Sequence, residues 1–338
     1  MAQRSWCRFE RPLDDPLLST LYAAAARRRR ERYARRPDLR RRLRNPVVSI
    51  GNLAVGGRGK TPMTACIARM LLEMGERPAI LSRGYARRDR RDGVVIVRDA
   101  DGVRADLDRA GDEPLMLARQ LPGVSILTSA DRYLAGRLAE HHLGCTIHVL
   151  DDGFQHLQLD RDVDLLILAR EDFARPRTLP SGRLREPLDT LIVADAILAA
   201  DEDVVVEPAE VAPPVFQMRR YPLSPPEASD PCLAVAGIAT PGRFFDDLRS
   251  AGWALTDAVS FDDHHPYSAR DLRRIADTAR KSGAKRIVTT EKDLVRLLRF
   301  RPFPMPITAV PLRVEPKPFE PFREWLSTAV RSARDLYE

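Results

Sequence analysis

Val47-Val48-Ser49-Ile50-Gly51-Asn52-Leu53-Ala54-Val55-Gly56-Gly57-Arg58-Gly59-Lys60-Thr61-Pro62 is the stretch whose reading decides the fold. The apolar run from Pro46 to Ile50 predicts a buried strand. A glycine-rich turn follows and closes on Gly59-Lys60-Thr61. Met63 to Met74 then has the apolar spacing of a helix, stopped by Gly75. Strand, glycine turn, Lys-Thr and helix are the setting of a phosphate-binding loop. Glycines let successive N–H groups converge on phosphate oxygens, and the helix N-terminus adds partial positive charge. In such a loop Lys60 reaches the outer phosphates and Thr61 offers its hydroxyl to Mg2+. The pattern departs from G-x-x-x-x-G-K-[ST] at one position, where Ala54 replaces the first glycine.

Working outward, short apolar runs alternate with helical patterns. Strands are predicted at 78–82, 124–127, 146–151, 163–168 and 191–198, with a hairpin turn at Asp101-Gly102. Helices are predicted from Asp112 and from Asp131. This alternation predicts an α/β fold, a P-loop NTPase-like parallel sheet flanked by helices. A proline-rich stretch at 206–230 reads as a linker in extended conformation. Beyond it lies a second, smaller α/β domain. Its strands are expected at 232–238, 254–261, 286–290 and 307–312, and its helices at 242–251, 268–281, 291–299 and 318–334. The expected domains are 1–44, 45–205 and 231–338, with the linker between the last two.

The chain has 338 residues and a net charge of +7. Between Arg27 and Arg44 eleven arginines face Glu31 and Asp38, a local excess of nine, so the remainder carries −2. Just before this block Leu17, Leu18, Leu21 and Tyr22 fall on one face of a helix expected over 15–26, with Asp15-Pro16 as its start. Apolar face and cationic flank suit a helix lying on an anionic membrane surface, or one packed on its own domain with a solvated basic face. Nucleic-acid binding is not expected, because aromatic residues for base stacking are sparse around the arginines. The four cysteines, Cys7, Cys66, Cys145 and Cys232, form no C-x-x-C pair and suit a reducing compartment. No apolar run approaches the roughly 18 residues of a membrane span, and no signal peptide is visible.

Three groups of polar residues could carry chemistry. The run Ile147 to Asp151 is a Walker B-type strand that would bring Asp151 or Asp152 to a metal. Asp112-Glu113 sits at a helix start, either as a cap or as a base and a metal ligand, and the residues alone leave both open. Asp263-His264-His265 follows a strand, where a histidine could assist a carboxylate in proton transfer. Arg183, Arg185 and Glu186 form a charged loop that could receive an anion.

Together these segments resemble a known family. The loop 51–62, Leu81-Ser82-Arg83-Gly84-Tyr85, Gly111-Asp112-Glu113-Pro114 and Asp151-Asp152-Gly153-Phe154-Gln155-His156 are similar to tetraacyldisaccharide 4'-kinases of Gram-negative lipid A synthesis. So are Leu184-Arg185-Glu186-Pro187, Asp263-His264-His265 and Thr289-Thr290-Glu291-Lys292-Asp293. The resemblance implies ATP-dependent phosphorylation of the 4'-hydroxyl of a tetraacylated glucosamine disaccharide 1-phosphate. It implies that Ala54, Val55, Gly56, Gly57, Arg58, Gly59, Lys60 and Thr61 hold the nucleotide. Asp112 would be the base, paired with His264, with Lys60 also catalytic. Thr61 and Glu113 would bind Mg2+ with Asp151 in support, and Arg132, His156 and Arg185 would contact phosphate or substrate. The implied partners are the lipid substrate and the cytoplasmic face of the inner membrane, with no obligate protein partner. The family is similar in lacking the glycine at Ala54. Arg58 and Arg183 stand where it more often has a small polar residue and a proline. A GTPase-like protein or a nucleic-acid-dependent ATPase is the alternative; the first would carry Asn-Lys-x-Asp, which is absent.

Overall fold

The computed structural model describes residues 15–85, 87, 89, 93–201, 204, 213–221, 225 and 230–335. In chain order the helices are α1 (Pro16–Arg35), α2 (Lys60–Glu73), α3 (Leu107–Ala110), α4 (Asp112–Gln120), α5 (Arg132–Leu143), α6 (Arg170–Ala174), α7 (Pro241–Ser250), α8 (Ala269–Lys281), α9 (Glu291–Leu297) and α10 (Phe319–Asp335). The strands are β1 (Val47–Asn52), β2 (Pro78–Ser82), β3 (Val94–Asp99), β4 (Gly102–Val103), β5 (Ser125–Ser129), β6 (Ile147–Asp151) and β7 (Val163–Leu168). They continue with β8 (Ala196–Ala199), β9 (Val215–Tyr221), β10 (Cys232–Ala236), β11 (Leu255–Ser260), β12 (Arg286–Thr290), β13 (Ile307–Val310) and β14 (Arg313–Lys317).

The chain separates into two compact units that interleave along the sequence. The first takes the described residues of Met1–Lys60, Asp152–Met218 and Pro316–Glu338; the second takes those of Thr61–Asp151 and Arg219–Glu315. In the first unit β1, β7, β8 and β9 pair in that order, all parallel. Every residue of β1 and β7 is buried, as parallel strands covered on both faces require. Leu53, Ala54, Phe154, Leu166, Leu184 and Ile197 form the cluster beneath the glycine turn.

In the second unit β6, β2 and β5 pair in parallel. β3 runs antiparallel to β5 and forms the expected hairpin with β4. A separate parallel sheet orders β11, β10, β12 and β13, with α8 packed on it through Ile275 and Ala279. The α/β class and the mainly parallel pairing are as expected. Gly144 ends α5 in the left-handed conformation, and Ser268 caps α8 by accepting from Asp271 N–H.

Three elements differ from expectation. α1 does not stop at residue 26 but continues through the arginines to Arg35. Arginine is a good helix former, and no breaker intervenes before Pro37. The stretch 191–198 is not one strand; a 3-10 turn over Leu188–Val193 precedes β8. β9 lies in the proline-rich stretch, much of which is outside the described residues.

Candidate active site

The glycine turn, in the first unit, is held from both sides. Val55 N–H donates to the Arg183 carbonyl at 2.8 Å, and Arg183 Nη2 donates back to the Val55 carbonyl at 3.0 Å. Gly56 has φ +106°, a backbone conformation that calls for glycine; a Cβ there would also meet Arg183 Nη2 at 2.7 Å, the movable end of that side chain. Arg58 does not point into open solvent. Its guanidinium pairs with Glu171 at 2.6 Å and with the buried Asp172 at 2.9 Å, both on α6. Asp172 in turn accepts from Ala169 N–H at 2.9 Å. The bulky loop residue is therefore an anchor from the turn to the end of β7.

Lys60 Nζ donates to Asn52 Oδ1 at 2.9 Å and to the Gly56 carbonyl at 3.3 Å, and lies 3.6 Å from Asp152. Arg185 grips Asp152 with two bonds, at 2.9 and 3.2 Å, and also donates to Asn52 Oδ1 at 2.6 Å. Burial works against the charge on Asp152, but the Arg185 bonds and the Lys60 and Arg185 charges outweigh it and hold its carboxyl below the usual range. Asp152 adopts φ +55°, a left-handed turn that aspartate tolerates better than most residues. His156 lies in the turn that follows, its N–H donating to the Gly153 carbonyl at 2.8 Å and its own carbonyl accepting from Arg161.

In the second unit Thr61 Oγ1 and Thr64 Oγ1 donate to the two oxygens of Asp151, at 3.4 and 3.1 Å. Two hydroxyls and a carboxylate are hard oxygen donors of the kind Mg2+ takes. Among the described residues no cluster of three or more His, Cys, Asp or Glu is disposed to hold a metal. Glu113 pairs with Lys292 at 3.4 Å. Arg132, at the start of α5, is buried and donates to the Ala130 carbonyl at 3.1 Å.

Also in the second unit, Asp112 and His264 meet although 152 residues apart: His264 Nδ1 lies 2.9 Å from Asp112 Oδ2. Gly111 sets the start of α4 with φ +86°, and a Cβ there would lie 2.7 Å from the Tyr85 carbonyl. His264 has φ +59°, an uncommon conformation for a residue with a Cβ, in the turn after β11. Its Nε2 faces Lys292 Nζ at 3.1 Å. An ammonium can only donate, so Nε2 accepts and the ring proton sits on Nδ1, towards Asp112. Arg296 adds two contacts to the same carboxylate, through Nε and Nη2, each at 2.6 Å. Burial would push the Asp112 carboxyl up, but the His264 bond and the Arg296 charge prevail and hold it below the usual carboxylate range. Leu107, Asp112, His264, Tyr267 and Arg296 line a small cavity.

Of the residues singled out by sequence, the structure thus joins Asp112 with His264 and Thr61 with Asp151, and sets Lys60 and Arg185 around Asp152. Reading the sequence missed Asn52, Asp172 and Arg296. Arg296 had one signal: it follows Asp293 by three residues, on the same helical face.

The family model for tetraacyldisaccharide-1-P 4'-kinase matches residues 16–331. The chain is similar to the tetraacyldisaccharide 4'-kinase of Koribacter versatilis, 42% identical over 289 residues and covering 83% of this chain and 87% of the other. It is also similar to that of Syntrophus aciditrophicus, 34% identical with 90% of each chain covered. Among solved structures, LpxK from Aquifex aeolicus in complex with ATP matches with a TM-score of 0.78 at 32% identity. That match covers 93% of this chain and 98% of the Aquifex one. No described helix is long and apolar enough to cross a membrane.

Proposed function

The chain belongs to the tetraacyldisaccharide-1-P 4'-kinase family and is a kinase of lipid A biosynthesis, and we propose how its residues divide the transfer of the ATP γ-phosphoryl group to the sugar 4'-hydroxyl. The glycine turn from Ala54 to Thr61 takes the nucleotide phosphates, with Lys60 on the outer ones. Asp112 accepts the proton of the 4'-hydroxyl as its oxygen bonds to the γ-phosphorus. The bond from phosphorus to the β-phosphate bridging oxygen breaks, and its electron pair leaves with ADP. His264, its proton on Nδ1, holds the Asp112 carboxylate in orientation. The observation that carries this reading is the 2.9 Å contact of His264 with Asp112.

Thr61 and Asp151 would hold Mg2+, with Glu113 a further candidate ligand. The metal supplies neutralisation of the charge on the phosphoryl oxygens. Arg185, beside Lys60 and Asp152, is the strongest candidate for a phosphate contact. Arg132 and His156 remain candidates as substrate contacts on the family resemblance alone.

The acceptor is a lipid, and α1 supports docking at the cytoplasmic face of the inner membrane. One face of α1 is built into its own unit: Ser19 Oγ donates to the Thr178 carbonyl at 2.9 Å, and Arg30 pairs with Glu186 at 2.7 Å. At about 100° per residue, Leu17, Leu21, Arg28, Arg32 and Arg35 share the opposite side. All five are exposed, Leu17 by 76% and Leu21 by 66%. Apolar residues at one end and arginines at the other suit acyl chains and anionic headgroups. The deciding experiment is turnover of tetraacyldisaccharide 1-phosphate with ATP and Mg2+. Labelled phosphate at the 4' position supports the reading, and ATP hydrolysis without lipid phosphorylation would sink it.

A further inference from the structure

Asp112 receives three contacts, from His264 Nδ1, Arg296 Nε and Arg296 Nη2, and all go to Oδ2. Oδ1 receives none from the described residues. The carboxylate is thus clamped by one oxygen and open at the other. The clamp has its own foundation. Arg296 is 3% exposed, and its Nη1 donates to the Gly237 carbonyl at 2.8 Å and to Asp293 Oδ1 at 3.1 Å. Asp293 is fully buried and accepts from Tyr267 Oη at 3.0 Å, Gly237 N–H at 3.0 Å and Thr290 Oγ1 at 2.6 Å. The two edges of the guanidinium fork therefore look in different directions. Nη1 faces the buried floor, whereas Nε and Nη2 face the carboxylate. A lysine, a single point of charge, could serve one edge but not both.

We propose that Arg296 is a positioning residue for phosphoryl transfer, clamping Asp112 by Oδ2 so that Oδ1 is the oxygen that meets the acceptor hydroxyl. The proposal rests on the assignment of Asp112 as base. Phosphoryl transfer is governed by placement, and a displacement of about 1 Å at the reacting group costs on the order of a hundredfold in rate. Arg296 acts through Asp112, so its loss should cost nothing once Asp112 can no longer take a proton.

The test is a double-mutant cycle on the full chain with Asp112→Asn, Arg296→Lys and the pair combined. Arg296→Gln serves as a second variant should lysine not be accommodated, and a thermal melt confirms folding of each. The expected result is that Arg296→Lys lowers kcat by about tenfold or more and leaves KM for ATP within about twofold. The further loss in the Asp112→Asn background should be absent. Unchanged kcat in folded Arg296→Lys and Arg296→Gln, or the full loss repeated on top of Asp112→Asn, overturns the proposal. Wild-type turnover by Asp112→Asn removes the base assignment and this proposal together. A slow Asp112→Asn enzyme beside an unimpaired Arg296→Lys removes this proposal alone.

Discussion

His264 donates to Asp112 from a turn whose backbone is left-handed at His264 itself, so the pair is set by strain in one partner and by a helix start in the other. Such a conformation persists only where surrounding contacts impose it. Asp112→Ala should lower kcat by about 10²- to 10⁴-fold, the range of general-base catalysis, and leave ATP affinity within a few-fold. Steady-state kinetics with an ATP-binding titration checks the split; an unchanged kcat would return Asp112 to the role of a helix cap.

The depressed Asp112 carboxyl has a sign that can be followed in stability. Its folded-state pKa lies below the unfolded value of about 3.9, so its contribution is complete above that pH and is lost as pH falls through the lower folded value. Denaturant melts should show a constant stability gap between wild type and Asp112→Asn from pH 7 to about 4, narrowing only below. A gap that narrows between pH 7 and 5 contradicts the depressed value.

Lys60 spans the glycine turn and the Asn52–Asp152–Arg185 group. Lys60→Ala removes the charge that would meet the outer phosphates, and kcat/KM should fall by at least about a hundredfold in a protein that still melts cooperatively. Retained turnover would end the P-loop assignment.

Arg58 predicts a different signature. Its pairs with Glu171 and Asp172 pre-set the turn, so Arg58→Ser should raise KM for ATP by roughly three- to tenfold while kcat holds. A fall in kcat at constant KM would instead mean that Arg58 touches the transferred group.

Leu17→Glu with Leu21→Glu alters only exposed positions of α1, so the melt should not move. Sedimentation with anionic vesicles should show several-fold weaker binding. Wild-type binding should also weaken with salt, since each basic residue near the surface contributes about 1 kcal/mol. Undiminished binding by the double variant takes the outer face of α1 out of the membrane role.

How far the sequence was legible follows from the range of the forces involved. β1, the glycine turn and α2 were readable because backbone need and residue type coincide within a short contiguous stretch. The meeting of Asp112 with His264 came from the family resemblance, since no local pattern links residues 152 apart. The partners of Arg58 lie 113 and 114 residues onward, and nothing near Arg58 foretells them. Arg296 is 184 residues from the carboxylate it clamps. The length of α1 is hidden for a local reason: a run of arginines resembles a charged flank, yet arginine extends a helix readily.

Asp151 and Asp152 are neighbours in sequence and strangers in function. Asp151, at the end of a strand, answers to threonine hydroxyls, whereas Asp152, turned by its positive φ, answers to Lys60 and Arg185. The two cannot stand in for one another. At position 151 asparagine removes the charge and also replaces one acceptor of a threonine hydroxyl by a donor, whereas at position 152 asparagine keeps the turn and drops the charge, and glycine drops the same charge while easing the backbone. The difference between asparagine and glycine at position 152 therefore isolates the backbone from the charge.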